Sequence, residues 1–189
     1  MPLTIVLPPR HCETKIVTSL ENIRHRYVPR RWSGNVMSFP VPTYSLALAS
    51  AAAGSYGDAR QTGWRFPIEI DASLAYADIS DNDYAFRGIT SGGIGVGIPA
   101  AIAQAYAFAD ESKDMLKIRL LDIPSIYSLS VWLHYGKNDW FFEVNRNGDF
   151  PEPNPAVAFA AVIAEKAQSS PADLSFARDE DEGPAVPSP

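Results

Sequence analysis

The sequence predicts an α+β fold: a single domain on a mostly antiparallel sheet, with two or three helices packed on it. Three observations carry that expectation. Apolar residues alternate at strand period in SVWLHYGKNDWFFEV (residues 130–144) and from Phe66 to Tyr76. Two alanine-rich segments carry helical character instead, each with a proline at its expected first turn, Pro99 and Pro155. The elements run strands, helix, strands, helix, which is the order of a sheet with helices segregated onto it.

In chain order, residues 1–42 read as an irregular basic and aromatic arm, punctuated by Pro2, Pro8, Pro9, Pro29, Pro40 and Pro42. Residues 43–169 form the globular unit. The run TYSLALASAAAG permits a short helix capped by Thr43 and stopped by Gly54, or a strand through Tyr44, Leu46 and Leu48. Phe66, Ile68, Ile70, Ala72, Leu74 and Tyr76 predict one half-buried strand, with Pro67 favouring a sheet edge. DISDNDYAFRG reads as a polar loop. SGGIGVGIPAAIAQAYAFADE then predicts a glycine turn leading into a helix that starts at Pro99 and buries Ile102, Ala105, Tyr106 and Ala109.

KDMLKIRLLDIP predicts a strand with Leu116, Ile118 and Leu120 on one face, Lys117 and Arg119 on the other, ended by Pro124. Residues 130–144 predict a hairpin with Lys137 and Asn138 at its tip. That register pairs Tyr135 with Trp140, Leu133 with Phe142 and Val131 with Val144, and on the other face His134 with Phe141 and Trp132 with Glu143. NPAVAFAAVIAEKAQ predicts a helix capped by Asn154, with Lys166 near its negative end. Residues 170–189 are acidic and proline-rich, a composition that predicts disorder.

At 189 residues, 46% hydrophobic and 20% charged, the chain has the balance of a globular domain. No apolar run is long enough to span a bilayer, so no membrane association is expected. The opening residues lack a basic segment and are broken by Pro8 and Pro9, which argues against a cleaved signal peptide. A single cysteine forms no internal disulfide and fits a cytoplasmic setting. Residues 1–60 hold seven Lys/Arg against three Asp/Glu, while the net charge of the whole is −6. The basic end therefore faces an acidic remainder or a partner, and the overall balance argues against nucleic acid.

Five groups of residues are candidates for function. Cys12 and His134 are the residue types of a thiol nucleophile and its base, but Cys12 lies in PPRHCETK, with none of the local signatures of a catalytic cysteine. Gly92, Gly93, Gly95 and Gly97 precede a helix, as in phosphate-binding loops. Their spacing lacks the third glycine of the dinucleotide fingerprint and no P-loop lysine follows, so a structural turn or a close backbone approach is expected. Asp78, Asp81 and Asp83 are oxygen donors without the glycine and glutamate of a calcium loop, and neither a metal nor a cofactor is expected. Arg24, Arg26, Tyr27, Arg30, Arg31 and Trp32 mix cations and aromatics, as protein hot spots do. Trp132, His134 and Phe141 make an aromatic patch on the less apolar hairpin face, expected to be covered by protein. No spacing meets the needs of a common catalytic mechanism. The expectation is a non-catalytic accessory or regulatory protein that binds a protein partner, or a second copy of itself, through the hairpin face and the basic arm. The alternatives are a small hydrolase using Cys12 or His134, and a nucleotide or small-ligand domain at Gly92–Gly97.

Overall fold

The computed structural model describes residues 3–4, 6–9, 11–24, 32–36, 40–70, 73–111 and 115–169. One sheet runs through it, made of Leu3–Thr4 (β1), Trp32–Val36 (β2), Val41–Ser45 (β3), Arg60–Ile70 (β4), Ser73–Ser80 (β5), Phe86–Thr90 (β6), Leu116–Ile123 (β7), Ser128–Tyr135 (β8), Asn138–Glu143 (β9) and Asn154–Pro155 (β10). The helices are His11–Arg24 (α1), Leu48–Ala52 (α2), Gly93–Asp110 (α3) and Ala156–Ser169 (α4). Two antiparallel meanders, β3-β4-β5-β6 and β7-β8-β9, meet at a parallel seam where Thr43, Tyr44 and Ser45 register with Leu120, Leu121 and Asp122. The fold is α+β, with a mostly antiparallel sheet and helices on both faces.

Strand alternation sorts the core into layers. On one face α3 covers Ile118, Leu120, Val131, Leu133 and Phe142, reaching Tyr76 in the other meander. Its own contact stripe is Ile98, Ala101, Ala105 and Ala109, and the three alanines let the helix lie close to the sheet. On the opposite face α2 and α4 enclose Leu121, Ile123, Trp132 and Phe141. On that same face α1 brings Cys12 and Ile16 onto Phe66, Ile68, Ala75 and Ala77 of the other meander.

Several elements differ from the sequence expectation. The hairpin tip is Gly136 and Lys137, so Tyr135 pairs with Asn138, His134 with Asp139, Leu133 with Trp140, Trp132 with Phe141 and Val131 with Phe142. Gly136 adopts φ +59°, the left-handed conformation a two-residue hairpin turn demands and a side chain resists. The pairing thus slides by two residues, which changes partners but leaves each side chain on its predicted face.

The alternating run at 66–76 is two strands, β4 and β5, divided at residues 71–72 outside the described part. The register across that turn pairs Ile68 with Ala75 and Pro67 with Tyr76, so Leu74 and Tyr76 lie on the α3 face and not in one row with Phe66, Ile68 and Ile70. The run at 43–54 is both of its alternatives in succession, strand to Ser45 and helix from Leu48. Within the segment read as an irregular arm, residues 11–24 form α1, with Cys12 and Ile16 fully buried. Helix α3 begins at Gly93, so Pro99 lies in its second turn.

Candidate functional site: an aromatic groove and a polar cleft

At one end of the sheet the last turn of α3, the hairpin tip and the start of α4 stop short of one another. They leave a groove of about 650 Å³. Phe108 comes from α3, Tyr135 and Lys137 from the hairpin, Trp140 from β9, Pro155 from β10 and Val157 from the start of α4. The rings of Phe108 and Trp140 are 4.7 Å apart and tilted by 50°, with Phe142 behind Phe108 at 5.7 Å. Tyr135 is 41% exposed and Val157 85% exposed, a high exposure for apolar side chains beside an aromatic wall. Lys137, Glu111 and Asp139 are the charged residues of the lining.

The other face of the same hairpin is closed. Trp132 is 2% exposed and Phe141 is fully buried. Phe141 stacks on Phe159 of α4 at 4.2 Å and meets Tyr56 at 4.6 Å with the rings tilted by 40°. Thus the chain's own helices cover Trp132 and Phe141, and a partner has no access to either ring. Asp139 holds the polar edge of this layer, accepting from the Trp132 indole at 2.7 Å and lying 2.7 Å from His134 Nδ1. The guanidinium of Arg119 sits between two rings, 4.7 Å from Tyr44 and 4.6 Å from Trp132. Its Nε has no hydrogen-bond partner among the described residues, so attraction to the rings is its visible compensation.

A second concavity, of about 310 Å³, opens beside α3 on the seam between the meanders. Register places Arg65 opposite Asp78, and the two form a bidentate pair at 2.6 and 3.1 Å. Thr90 donates a further bond to Asp78 at 3.1 Å, so this carboxylate accepts three hydrogen bonds. Arg87 donates to Ser80 at 3.0 Å on the same wall. The Asp122 carbonyl accepts from the Leu46 amide at 3.0 Å, while its carboxylate has no hydrogen-bond donor among the described residues. Loss of hydration in the cleft pushes its carboxyl above the ordinary range; the Arg65 charge opposes that and the Asp78 charge adds to it. The side chain remains open to solvent at the cleft mouth, which moderates the effect.

The sequence candidates are dispersed. Cys12 is buried between α1, to which it belongs, and the sheet, and burial pushes its thiol up, the opposite of what a nucleophile needs. His134 lies on β8 with Asp139 as its partner, and no hydrogen bond joins it to Cys12 among the described residues. Gly93, Gly95 and Gly97 bring the start of α3 against the backbone of Arg146, Leu74 and Asn145 respectively, so close approach accounts for them. Gly92, at φ +75°, turns the chain into α3. Each acid of the polar loop has its own partner: Asp78 binds Arg65, Asp81 accepts from Gln61, and Asp83 accepts from Arg87 and the Ala85 amide. Arg26, Tyr27, Arg30 and Arg31 lie outside the described residues; Arg24 ends α1 and Trp32 begins β2.

Sequence reasoning missed both concavities. Tyr135 and Trp140 were expected on the core side of the hairpin, and they are on that side; but the hairpin runs beyond the end of α3, so its last rings line a groove. The cleft is assembled from residues distant in sequence, and the one local signal for it was the opposite charge of Arg65 and Asp78 at matching depths of neighbouring strands. Among the described residues no helix is long and apolar enough to cross a membrane. Compared with known protein families, curated proteins and solved structures, the chain matches none.

Proposed function

We propose that this chain is a non-catalytic binding protein that receives an extended, proline-containing segment of a protein partner in the groove between α3, the β8–β9 tip and α4. The observation that carries the reading is the lining itself: three aromatic rings and a proline around an open channel, with a valine left in solvent. Grooves of this make-up take polyproline II segments, whose rings pack flat on aromatic faces and whose ordering entropy is already low. A nucleic acid is a poorer fit, because single strands need a cationic track beside the rings and this lining offers Lys137 against Glu111 and Asp139. A cytoplasmic setting is kept as part of the proposal, supported by the lone, buried cysteine.

The test is fluorescence anisotropy of labelled proline-rich decapeptides added to the full chain, against composition-matched peptides without proline. Selective binding of the proline peptides, reduced at least tenfold by Tyr135→Ala and by Val157→Asp, is the expected result. Both substituted positions are exposed, so the fold should survive them. Equal binding of both peptide sets, or affinity indifferent to the two substitutions, would remove the groove from consideration.

The polar cleft favours a second reading, binding of a small hydrogen-bonding molecule. Its size stands at the lower limit of ligand pockets. A thermal-shift panel of amines, sugars and nucleotides should then show a ligand whose stabilisation Asp122→Asn abolishes, and a silent panel would count against it.

A further inference from the structure

Resting on the groove reading above, we propose that one occupant of this groove is the chain's own segment 183–189, GPAVPSP, bound in cis. Residues 170–189 lie outside the described part; the groove, the tail's sequence and the length of chain between them support its docking. Pro184 and Pro187 are three residues apart, which is one full turn of a polyproline II helix. Both rings therefore fall on one side of such a segment, spaced about 9 Å apart. That side is the one an aromatic groove accepts, with Phe108 and Trp140 as one platform and Tyr135 as the next.

The geometry of the connection allows it. Helix α4 starts in the groove wall at Ala156 and Val157 and ends at Ser169, about 20 Å away by helical rise. Fifteen residues lead from Ser169 to Pro184, and such a stretch reaches about 50 Å when fully extended. As a flexible coil its root-mean-square span is roughly 20 Å, matching the distance back along the helix. A tether matched to its span gives an effective concentration near its maximum, so even a weak segment occupies the site. The bound tail is then a built-in competitor, which a partner's proline segment must displace.

The experiment is disulfide trapping in the full chain, with Ser188→Cys paired either with Val157→Cys or with Ala158→Cys. The native Cys12 is buried and does not compete. Both α4 positions are exposed and adjacent in sequence, but Val157 lines the groove and Ala158 does not. Docking predicts at least tenfold faster cross-linking at Val157, independent of protein concentration and lost when Pro184 and Pro187 are both replaced by alanine. Equal rates at the two positions, indifference to the proline substitutions, or cross-links between chains that grow with concentration would overturn it. The Pro184→Ala, Pro187→Ala chain should also bind the labelled proline decapeptides more tightly than the parent. If decapeptides bind both chains equally through Tyr135 and Val157, the tail proposal falls and the groove reading stands. If neither chain binds them and trapping shows no preference, both fall together.

Discussion

The indole Nε1 of Trp132 lies 2.7 Å from Oδ1 of Asp139, which pairs across the hairpin with His134 and stands two residues from Trp132's own partner, Phe141. Through that bond the buried ring has a partner for its one polar atom. Asp139→Ala leaves the indole N–H without an acceptor and should cost about 1–3 kcal/mol. Asp139→Asn keeps an acceptor and should cost less. Urea unfolding midpoints decide it, and equal midpoints for the two variants would remove the hydrogen bond as the cause.

Gly97 is a contact surface more than a hinge. A Cβ there would run into the Asn145 carbonyl and the Val144 side chain, so α3 must shift off its neighbour. Gly97→Ala should destabilise by about 1–3 kcal/mol, the usual range for overpacking. Gly88, with nothing near its missing Cβ, should tolerate alanine to within about 0.5 kcal/mol. Calorimetric melting of the two variants makes the comparison.

Phe159 and Val157 stand two residues apart on α4 with opposite surroundings. Phe159 is buried and stacked on Phe141, whereas Val157 faces solvent. Phe159→Ala should cost about 3–5 kcal/mol. Val157→Ala should stay within about 0.5 kcal/mol. A large stability loss at Val157 would mean that the groove is packed shut.

Alkaline pH should unfold the protein through two tyrosines. Burial pushes Tyr56 from 10.0 up to about 12, with the charge of Asp139 adding to it. Burial does the same to Tyr76, to about 12, against a downward pull from Arg65. Because the folded values lie above the unfolded ones, the contribution is complete below pH 10 and is lost as pH rises toward 12. Each tyrosine accounts for on the order of 2 kcal/mol. Replacing both with phenylalanine should flatten the stability profile over that window. Tyr56→Phe alone should also cost about 1 kcal/mol at neutral pH, through its lost bond to the Ala156 carbonyl. An unchanged slope in the double variant would place the alkaline sensitivity elsewhere.

Periodicity made the sheet legible and left its joints obscure. The hairpin faces followed from alternation, because a slip of two residues preserves them, while the register depended on a positive φ at Gly136 that alternation does not encode. The split between β4 and β5 is hidden because apolar residues continue at even positions across the turn, although Leu74 and Tyr76 then face the opposite side of the sheet from Phe66 and Ile68. Helix α1 was obscured by the prolines on either side of it, although Cys12 and Ile16 stand four residues apart on one helical face. The two concavities required tertiary placement. Phe108 and Val157 become neighbours of Tyr135 only when α3 and α4 land at the same end of the sheet, and Asp122 meets Asp78 only across the parallel seam.

That seam has a bearing on how the molecule comes into being. Each meander closes through neighbours in sequence, but β3 and β7 meet over a parallel contact of three registered pairs separated by more than seventy residues. Local pairings outrun distant ones, so substitutions at Thr43 or Leu120 should mainly quicken unfolding, a result stopped-flow kinetics would read directly. During synthesis the first meander leaves the ribosome with one flank of β3 bare, and it stays bare until residues 116–123 have emerged. For that interval a nascent chain carries an unpaired strand edge open to its neighbours on the same message.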